Sequence, residues 1–325
     1  MSTTASPMVQ VTGLTRRFGS FTAVNNINFS FTQGEIFGFI GPNGAGKSTT
    51  MRILATLDIP SAGDCTVSGL STVDDAEEVR RLIGYMPDSY GTYPNMTVWE
   101  YLDFFARAYR LHGPARTRAV ADVVEFCQLG ELREKLITTL SKGMKQRLCL
   151  GRCLIHDPKL LILDEPSAGL DPRARIEFRE LLRLLAGQGK AIFISSHILA
   201  ELEELCDGVA IIEQGRMVAA GAVADITAKA LASREAKQGA TAQWVIELRL
   251  TEAVERLAER LSEQGELTQV TVSGSNATAV LAGGNVAQAA LLKRLIQDGL
   301  PIYHCAGRAE NLEDLFMHIT EGKVQ

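Results

Sequence analysis

Nowhere does the chain carry a stretch of about 18 consecutive apolar residues, the length that crosses the hydrocarbon core of a bilayer. It reads as a chain that does not span a membrane, so any membrane role falls to a partner. Positive charge is not in excess either. Against 33 Lys and Arg stand 38 Asp and Glu, a formal charge of −5, and no nucleic-acid partner is expected from that balance, although a net value says nothing of a local basic patch. Cysteine is sparse and unpatterned: Cys65, Cys127, Cys149, Cys153, Cys206 and Cys305 form no C-x-x-C pair and no disulfide framework, which points to buried thiols in a reducing compartment. Cys149 and Cys153, four apart on an expected helix, share a face, but a metal site there needs further ligands. Residues 1–10 are neither basic nor apolar, unlike a secretory signal.

The chain does have room and a glycine-rich turn in a telling place. Its 325 residues, 46% hydrophobic and 22% charged, suffice for one large domain and a small one. The apolar run Ile36-Phe37-Gly38-Phe39-Ile40 reads as a strand, and it leads into Gly41-Pro42-Asn43-Gly44-Ala45-Gly46-Lys47-Ser48-Thr49 and then a helical pattern. Strand, G-x-x-x-x-G-K-[ST] and helix in that order form a phosphate cradle. Glycines let backbone N–H groups converge on phosphate oxygens, and the helix turns its positive end toward them. Gly41, Asn43, Gly44, Gly46 and Thr49 are therefore candidate phosphate-site residues, Lys47 a mobile charge for terminal phosphates, and Ser48 a hydroxyl ligand for Mg²⁺.

A second apolar run, Leu160-Leu161-Ile162-Leu163, ends in Asp164-Glu165. It is too short for a helix and reads as a strand buried on both faces. Carboxylates at the C-terminal end of such a strand face the ligand crevice of an open α/β sheet. Asp164 is the candidate that holds Mg²⁺ through water, and Glu165 the one that orients or deprotonates an attacking water.

A phosphate loop alone also fits GTPases, kinases and helicases. The remaining motifs narrow it. Leu140-Ser141-Lys142-Gly143-Met144-Lys145-Gln146-Arg147 resembles the signature of the ATP-binding cassette (ABC) family, Ser167-Ala168-Gly169-Leu170-Asp171 its D-loop, and Ile192 to His197 the strand that ends in its switch histidine. Phe18, in Leu14-Thr15-Arg16-Arg17-Phe18-Gly19, stands where that family commonly has a Tyr stacked on adenine; it reads either as that stacking ring or as a core anchor. The resemblance covers residues 8–225. It implies an α/β phosphate-loop NTPase cassette with an antiparallel β subdomain and a helical subdomain, binding ATP with Mg²⁺. It further implies a homodimer or paired cassettes, with Ser141 and Gly143 of one copy meeting the γ-phosphate held by the other and His197 contacting the same phosphate. For Ser141, a plain helix N-cap is the other reading, and the two are compatible. The family's partner would be an integral membrane permease, with this chain peripheral on the cytoplasmic face and export the expected direction. The alternative is a non-transport ABC ATPase acting on ribosomes or DNA. Each motif occurs once, and neither cysteine pairs nor sustained heptads lie between Lys47 and Ser141, which favours transport.

Two departures from the family pattern stand out. Asp88, in Ile83-Gly84-Tyr85-Met86-Pro87-Asp88, replaces the expected Gln; as a candidate catalytic and metal residue it still ligates Mg²⁺ or accepts a water proton, but it adds negative charge and donates no hydrogen bond. Lys142 and Met144 replace the commoner Gly and Gln, and Lys142 either adds charge near phosphate or points to solvent. An aromatic-rich segment follows Asp88. Trp99, Phe104 and Phe105 are expected to pack a helix over Val98 to Arg110, whereas Tyr90 and Tyr93 are the interface candidates.

Beyond Gly221 the pattern changes. Residues 226–243 read as a linker and 244–325 as a small α+β domain: a strand over Trp244 to Leu250, a helix over Glu252 to Gln264, two strands over Thr268 to Leu281, a helix over Val286 to Gln297, a strand over Pro301 to Cys305 and a last helix over Leu312 to Met317. That β-α-β-β-α-β order is ferredoxin-like, with regulation or dimer contact as its expected role. His304 and His318 read as lone structural histidines. The Asp88 departure carries a prediction: Asp88→Gln retains or raises ATP hydrolysis and lowers the Mg²⁺ concentration needed, measured as phosphate release across a Mg²⁺ titration.

Overall fold

The computed structural model describes residues 6–89, 91, 93, 95–226 and 243–309, which fall into two compact units divided between Val223 and Ala224. Tyr90, the 227–242 part of the expected linker, the expected last helix and His318 lie outside the described residues.

In the first unit, β3 (Ile36–Ile40), β7 (Leu160–Leu163) and β8 (Ala191–Ser196) are buried at every position, as parallel strands covered on both faces must be. With β6 (Ile83–Met86), β9 (Gly208–Glu213) and β10 (Arg216–Ala222) they form a six-stranded sheet of order β10-β9-β3-β8-β7-β6. All its pairings are parallel except β9 with β10. Because β3, β6, β7 and β8 run the same way, the residues after their C-terminal ends emerge along one edge. Gly41, Asp88, Asp164 and His197 follow those ends.

An antiparallel sheet of order β2-β1-β4-β5 lies beside it, built from β1 (Val9–Phe18), β2 (Phe21–Phe31), β4 (Ala62–Val67) and β5 (Leu70–Ser71). The two sheets share an aromatic core. Phe29 and Phe31 of the antiparallel sheet pack on Phe37, Phe39 and Phe193 of the parallel one, with Phe31 and Phe37 centroids 4.9 Å apart and stacked. Rings of this size bury more apolar surface per residue than any aliphatic choice, so the strands that carry the site cannot separate from the strands that carry Phe18 without exposing them.

The helices are α1 (Lys47–Leu54), α2 (Ala76–Leu82), α3 (Val98–Ala108), α4 (Gly113–Phe126), α5 (Lys142–Leu154), α6 (Pro172–Gly187) and α7 (Leu199–Glu203). Of these, α3, α4 and α5 pack on one another as a helical layer. Here the aromatic expectation is corrected. Tyr101, not Phe104, is the ring sunk in that layer, at 1% exposure; Phe104 is 44% exposed and packs edge-on against Tyr93. The helix presents position 101 inward together with Val98 and Leu102, and 104 lies past the edge of that stripe. Among the described residues no helix is long and apolar enough to cross a membrane.

The second unit is a four-stranded antiparallel sheet of order β12-β13-β11-β14, from β11 (Gln243–Leu250), β12 (Leu267–Ser273), β13 (Asn276–Ala282) and β14 (Ile302–Ala309). With α8 (Leu257–Ser262) and α9 (Asn285–Gln297) the sequence order is the ferredoxin-like β-α-β-β-α-β. Ile246, Leu248, Ala279, Leu281, Leu261 and Leu291 fill its core. The first helix is shorter than the pattern predicts, because Arg256 takes a left-handed conformation at φ 55° and caps it; a non-glycine residue there interrupts right-handed winding.

The start of α3 is secured by a reciprocal pair: the Glu100 amide donates to Thr97 Oγ1 at 3.3 Å while the Thr97 amide donates to the Glu100 carboxylate at 2.8 Å. Thr97→Ala removes a cap of ordinary strength and lowers the melting temperature by about 2–4 °C, measurable by circular dichroism or calorimetry.

Candidate functional site

The turn from β3 into α1 is tight because two positions have no room for a side chain. A Cβ on Gly41 would lie 2.3 Å from the Ile212 carbonyl oxygen; Gly46, at φ 104°, would put one 2.6 Å from the Ala23 oxygen. The backbone can therefore curl close enough for its amides to converge on an anion. Lys47, the first residue of α1, is 6% exposed. Its ammonium donates to the Gly41 oxygen at 2.6 Å and the Pro42 oxygen at 3.3 Å, and lies 3.5 Å from Glu165 Oε1.

Asp164 follows β7 and is buried at 2% exposure. Burial raises its pKa; hydrogen bonds from Ser195 and Ser48 oppose that rise, and the Asp88 and Glu165 carboxylates add to it. The Ser195 hydroxyl, on β8, donates to Asp164 Oδ1 at 2.6 Å and accepts the Glu165 amide at 2.8 Å. Glu165 stands in the left-handed region at φ 48°, a conformation that costs a non-glycine residue about 1–3 kcal/mol and persists only where neighbours hold it. One of its oxygens, Oε2, bonds His197 Nδ1 at 2.8 Å. The other, Oε1, is buried and has no hydrogen bond. Since a carboxylate only accepts, His197 carries a proton on Nδ1, and its ring is half-exposed.

Of these groups Gly46, Lys47 and Glu165 border an open cavity of about 320 Å³, while Ser195 and His197 are not in its lining. Of the residues expected from sequence, Phe18, Asn43, Gly44, Gly46, Lys47, Ser48, Thr49, Asp88 and Glu165 line it. Asp164 lies beneath, reached through Ser48, and Gly41 contributes its carbonyl to Lys47. Phe18 is 47% exposed, which rules out the core-anchor reading. The Arg16 guanidinium sits 4.4 Å from its ring centroid and is itself held by Asp58 at 2.7 Å. Asp88 is exposed, with Oδ1 accepting the Ser89 amide at 2.6 Å. The walls thus combine hard oxygen donors, one buried cation, a glycine-rich turn at a helix start and an aromatic face, which suits a nucleoside polyphosphate with a divalent cation.

Ser141 and Gly143 are not part of this cavity's lining. Ser141 caps α5 by accepting the Met144 amide at 3.3 Å, and Gly143 lies against Ala174. Lys142 is exposed, but its ammonium is not simply in solvent: it occupies the space 2.2 Å from where a Cβ on Gly169 would lie. Three contributors escape the sequence reading. Ser195 is an unremarkable strand serine until β7 and β8 pair. Phe21 faces Phe18 across the β1–β2 turn and lines the cavity at 49% exposure. Gln146 donates to the carbonyl of Pro166, directly after Glu165. For Phe21 alone a signal exists, an aromatic three residues past Phe18 across a turn.

The comparisons with known proteins agree with this geometry. The ABC transporter family model matches residues 24–168. The linearmycin resistance ATP-binding protein of Bacillus subtilis is 39% identical over 223 residues, 68% of this chain and 71% of that protein. The Nod factor export ATP-binding protein I of Ralstonia nicotianae is 38% identical over 217 residues, 67% of this chain and 68% of its own length. Among solved structures, the ATP-binding subunit of an ABC transporter aligns with a TM-score of 0.62 at 32% identity, covering 68% of this chain and 92% of that one. Likeness of this extent, over a chain that builds an open cavity at its phosphate loop, makes this protein a member of the ABC transporter family, an ATP-binding subunit that hydrolyses ATP to power transport.

Proposed function

We propose that the cavity binds MgATP in a head-to-tail dimer of this chain and that hydrolysis there drives a separate membrane permease in export. The observation that carries the reading is Glu165 Oε1: a buried carboxylate oxygen without a hydrogen bond, on a cavity-lining residue. Its neighbour is the Lys47 ammonium at 3.5 Å, an ion-pair contact and not a hydrogen bond, so it keeps acceptor capacity for a water proton next to the phosphate loop. In this reading Phe18 stacks on adenine, the Gly41–Gly46 turn and Lys47 hold the phosphates, and the half-exposed ring of His197, fixed by Glu165, contacts the γ-phosphate. Ser141 and Gly143, off the cavity of their own copy, serve the nucleotide of the other.

Ser48, Asp164 and Asp88 would hold Mg²⁺. Their chemistry fits it: one hydroxyl and two carboxylates, too few for an all-protein cage, suit a small hard cation that keeps phosphate oxygens and waters as its other ligands. Among the described residues no cluster of three acidic, His or Cys side chains forms such a cage. When bound, the cation neutralises charge on the phosphates. The protein's part is to orient: Ser195 fixes Asp164 and Glu165, and the Arg16–Phe18 pair fixes the base.

The exposed Tyr93–Phe104 pair supports a permease contact in the helical layer, since aromatic groups favour interfaces. The chain would then sit on the cytoplasmic face of the membrane. Residues 244–325, joined by a linker over 226–243, would serve regulation or dimer contact. Names of relatives that include export and antibiotic resistance favour export over import.

With Glu165→Gln, phosphate release falls on the order of 10²- to 10⁴-fold while ATP binding persists and the protein elutes as a dimer in ATP; wild-type rates of release, or a variant that stays monomeric, would defeat the reading. Affinity capture from detergent-solubilised membranes recovers an integral membrane protein, whereas recovery of ribosomes or DNA-repair proteins would favour the non-transport alternative.

A further inference from the structure

Strand β6, which delivers the chain to Asp88, is the outer strand of its sheet. Its Leu82 and Met86 flanks face inward, their carbonyls accepting the Lys159 and Asp164 amides at 2.8 Å each. By strand alternation the carbonyls of Ile83 and Tyr85 face outward, where among the described residues no further strand supplies amides. Side chains from the end of α5 and the turn after it take their place. Arg152 Nη2 donates to the Tyr85 oxygen at 3.1 Å, Cys153 Sγ donates to the same oxygen at 3.2 Å, and His156 Nε2 meets the Ile83 oxygen at 2.9 Å.

The fit is close. A Cβ on Gly84, between the two carbonyls, would lie 2.5 Å from the Cys153 oxygen, so only glycine lets the strand lie against the helix backbone. His156 is stacked on Tyr109 with centroids 3.7 Å apart, burial lowers its pKa, and because a carbonyl only accepts, its Nε2–H is the donor to Ile83. Arg152 is half-buried with its guanidinium 5.4 Å from the Phe105 centroid. Nearer its start, the same helix sends Gln146 to the carbonyl of Pro166. One helix thus grips the backbone just after Glu165 and the backbone three residues before Asp88.

We propose that Arg152, with Cys153 as the second donor, is a positioning residue for Asp88: by holding the outward Tyr85 carbonyl it sets where the loop after β6 carries the Asp88 carboxylate in the nucleotide cavity. The inference rests on the reading that Asp88 serves Mg²⁺ and water at the γ-phosphate. It requires no contact between Arg152 and the nucleotide. A guanidinium supplies a directed, permanently charged donor, and loss of an outer hydrogen-bonding group of this kind moves metal affinity on the order of 10-fold or more.

The test is a double-mutant cycle on the purified full chain, read both as kcat and KM for ATP and as the Mg²⁺ concentration giving half-maximal ATP binding in calorimetry. Arg152→Met is expected to raise that Mg²⁺ concentration, and to lower kcat, each on the order of 10-fold, with KM for ATP little changed. Arg152→Lys, which keeps one donor, recovers most of both. In an Asp88→Ala background Arg152→Met adds no further effect, because the group it positions is gone. Arg116→Met, at a partly buried arginine paired with Asp103 and away from β6, leaves the Mg²⁺ requirement unchanged. An Arg152→Met effect of equal size in both backgrounds, or none on Mg²⁺, overturns the proposal. Should Arg152→Met fail to fold, Cys153→Ala is carried through the same cycle, and a loss undiminished by Asp88→Ala overturns it equally. An Asp88→Ala variant with the wild-type Mg²⁺ requirement would instead overturn the role given to Asp88 itself, and the proposal with it.

Discussion

The hydroxyl of Ser195 joins the two acidic residues on which the chemistry of this protein turns. It donates to the buried Asp164 carboxylate and accepts the amide of Glu165. A carboxylate at 2% exposure is tolerated only if its oxygens are bonded, and a left-handed glutamate persists only if its backbone is held. Ser195 serves both conditions, with Ser48 as a further donor to Asp164, and Ser195 is in place because β7 and β8 pair in parallel with Leu163 opposite Ile194. The register of two buried strands is thereby converted into the geometry of a reacting centre.

The rest of the site follows from the same sheet. Parallel strands of similar length end at one edge, so the phosphate turn, the two acids, Asp88 and His197 meet there although they are spread over the sequence. The aromatic core of Phe29, Phe31, Phe37, Phe39 and Phe193 couples this edge to the antiparallel sheet, which brings Phe18 and Phe21 to the same cavity. Charge is balanced locally. Lys47 faces Glu165, and the acids that surround it are of the kind that a divalent cation offsets when phosphates enter.

The helical layer contributes through a single rod. α5 starts at Ser141, touches the backbone after Glu165 through Gln146, and ends with donors on the free edge of β6. A rigid helix that touches both catalytic strand ends gives the protein a physical means of keeping Glu165 and Asp88 in fixed relation, whatever occupies the helical surface around Tyr93 and Phe104.

Much of this was legible in the sequence, and the reason is chemical locality. A phosphate turn needs glycines and a lysine at fixed offsets from a strand and a helix, and a buried parallel strand ending in acids is a contiguous pattern; the sequence by itself therefore determined the cradle, the acidic strand end and the ferredoxin-like order of the second unit, while the α/β cassette came from the resemblance of its motifs to the ABC family. It overstated the first helix of that unit, since nothing in the pattern marks Arg256 as left-handed, and it misjudged Phe104, since helix period alone does not say where a buried stripe ends. What only the tertiary structure decided are contacts between residues far apart in the chain. Ser195 meets Glu165 across 30 residues, Gln146 meets Pro166 across 20 and Arg152 meets Tyr85 across 67. Such pairs are chosen by strand register and by the approach of a helix to a sheet edge, and neither is written in any single stretch of sequence.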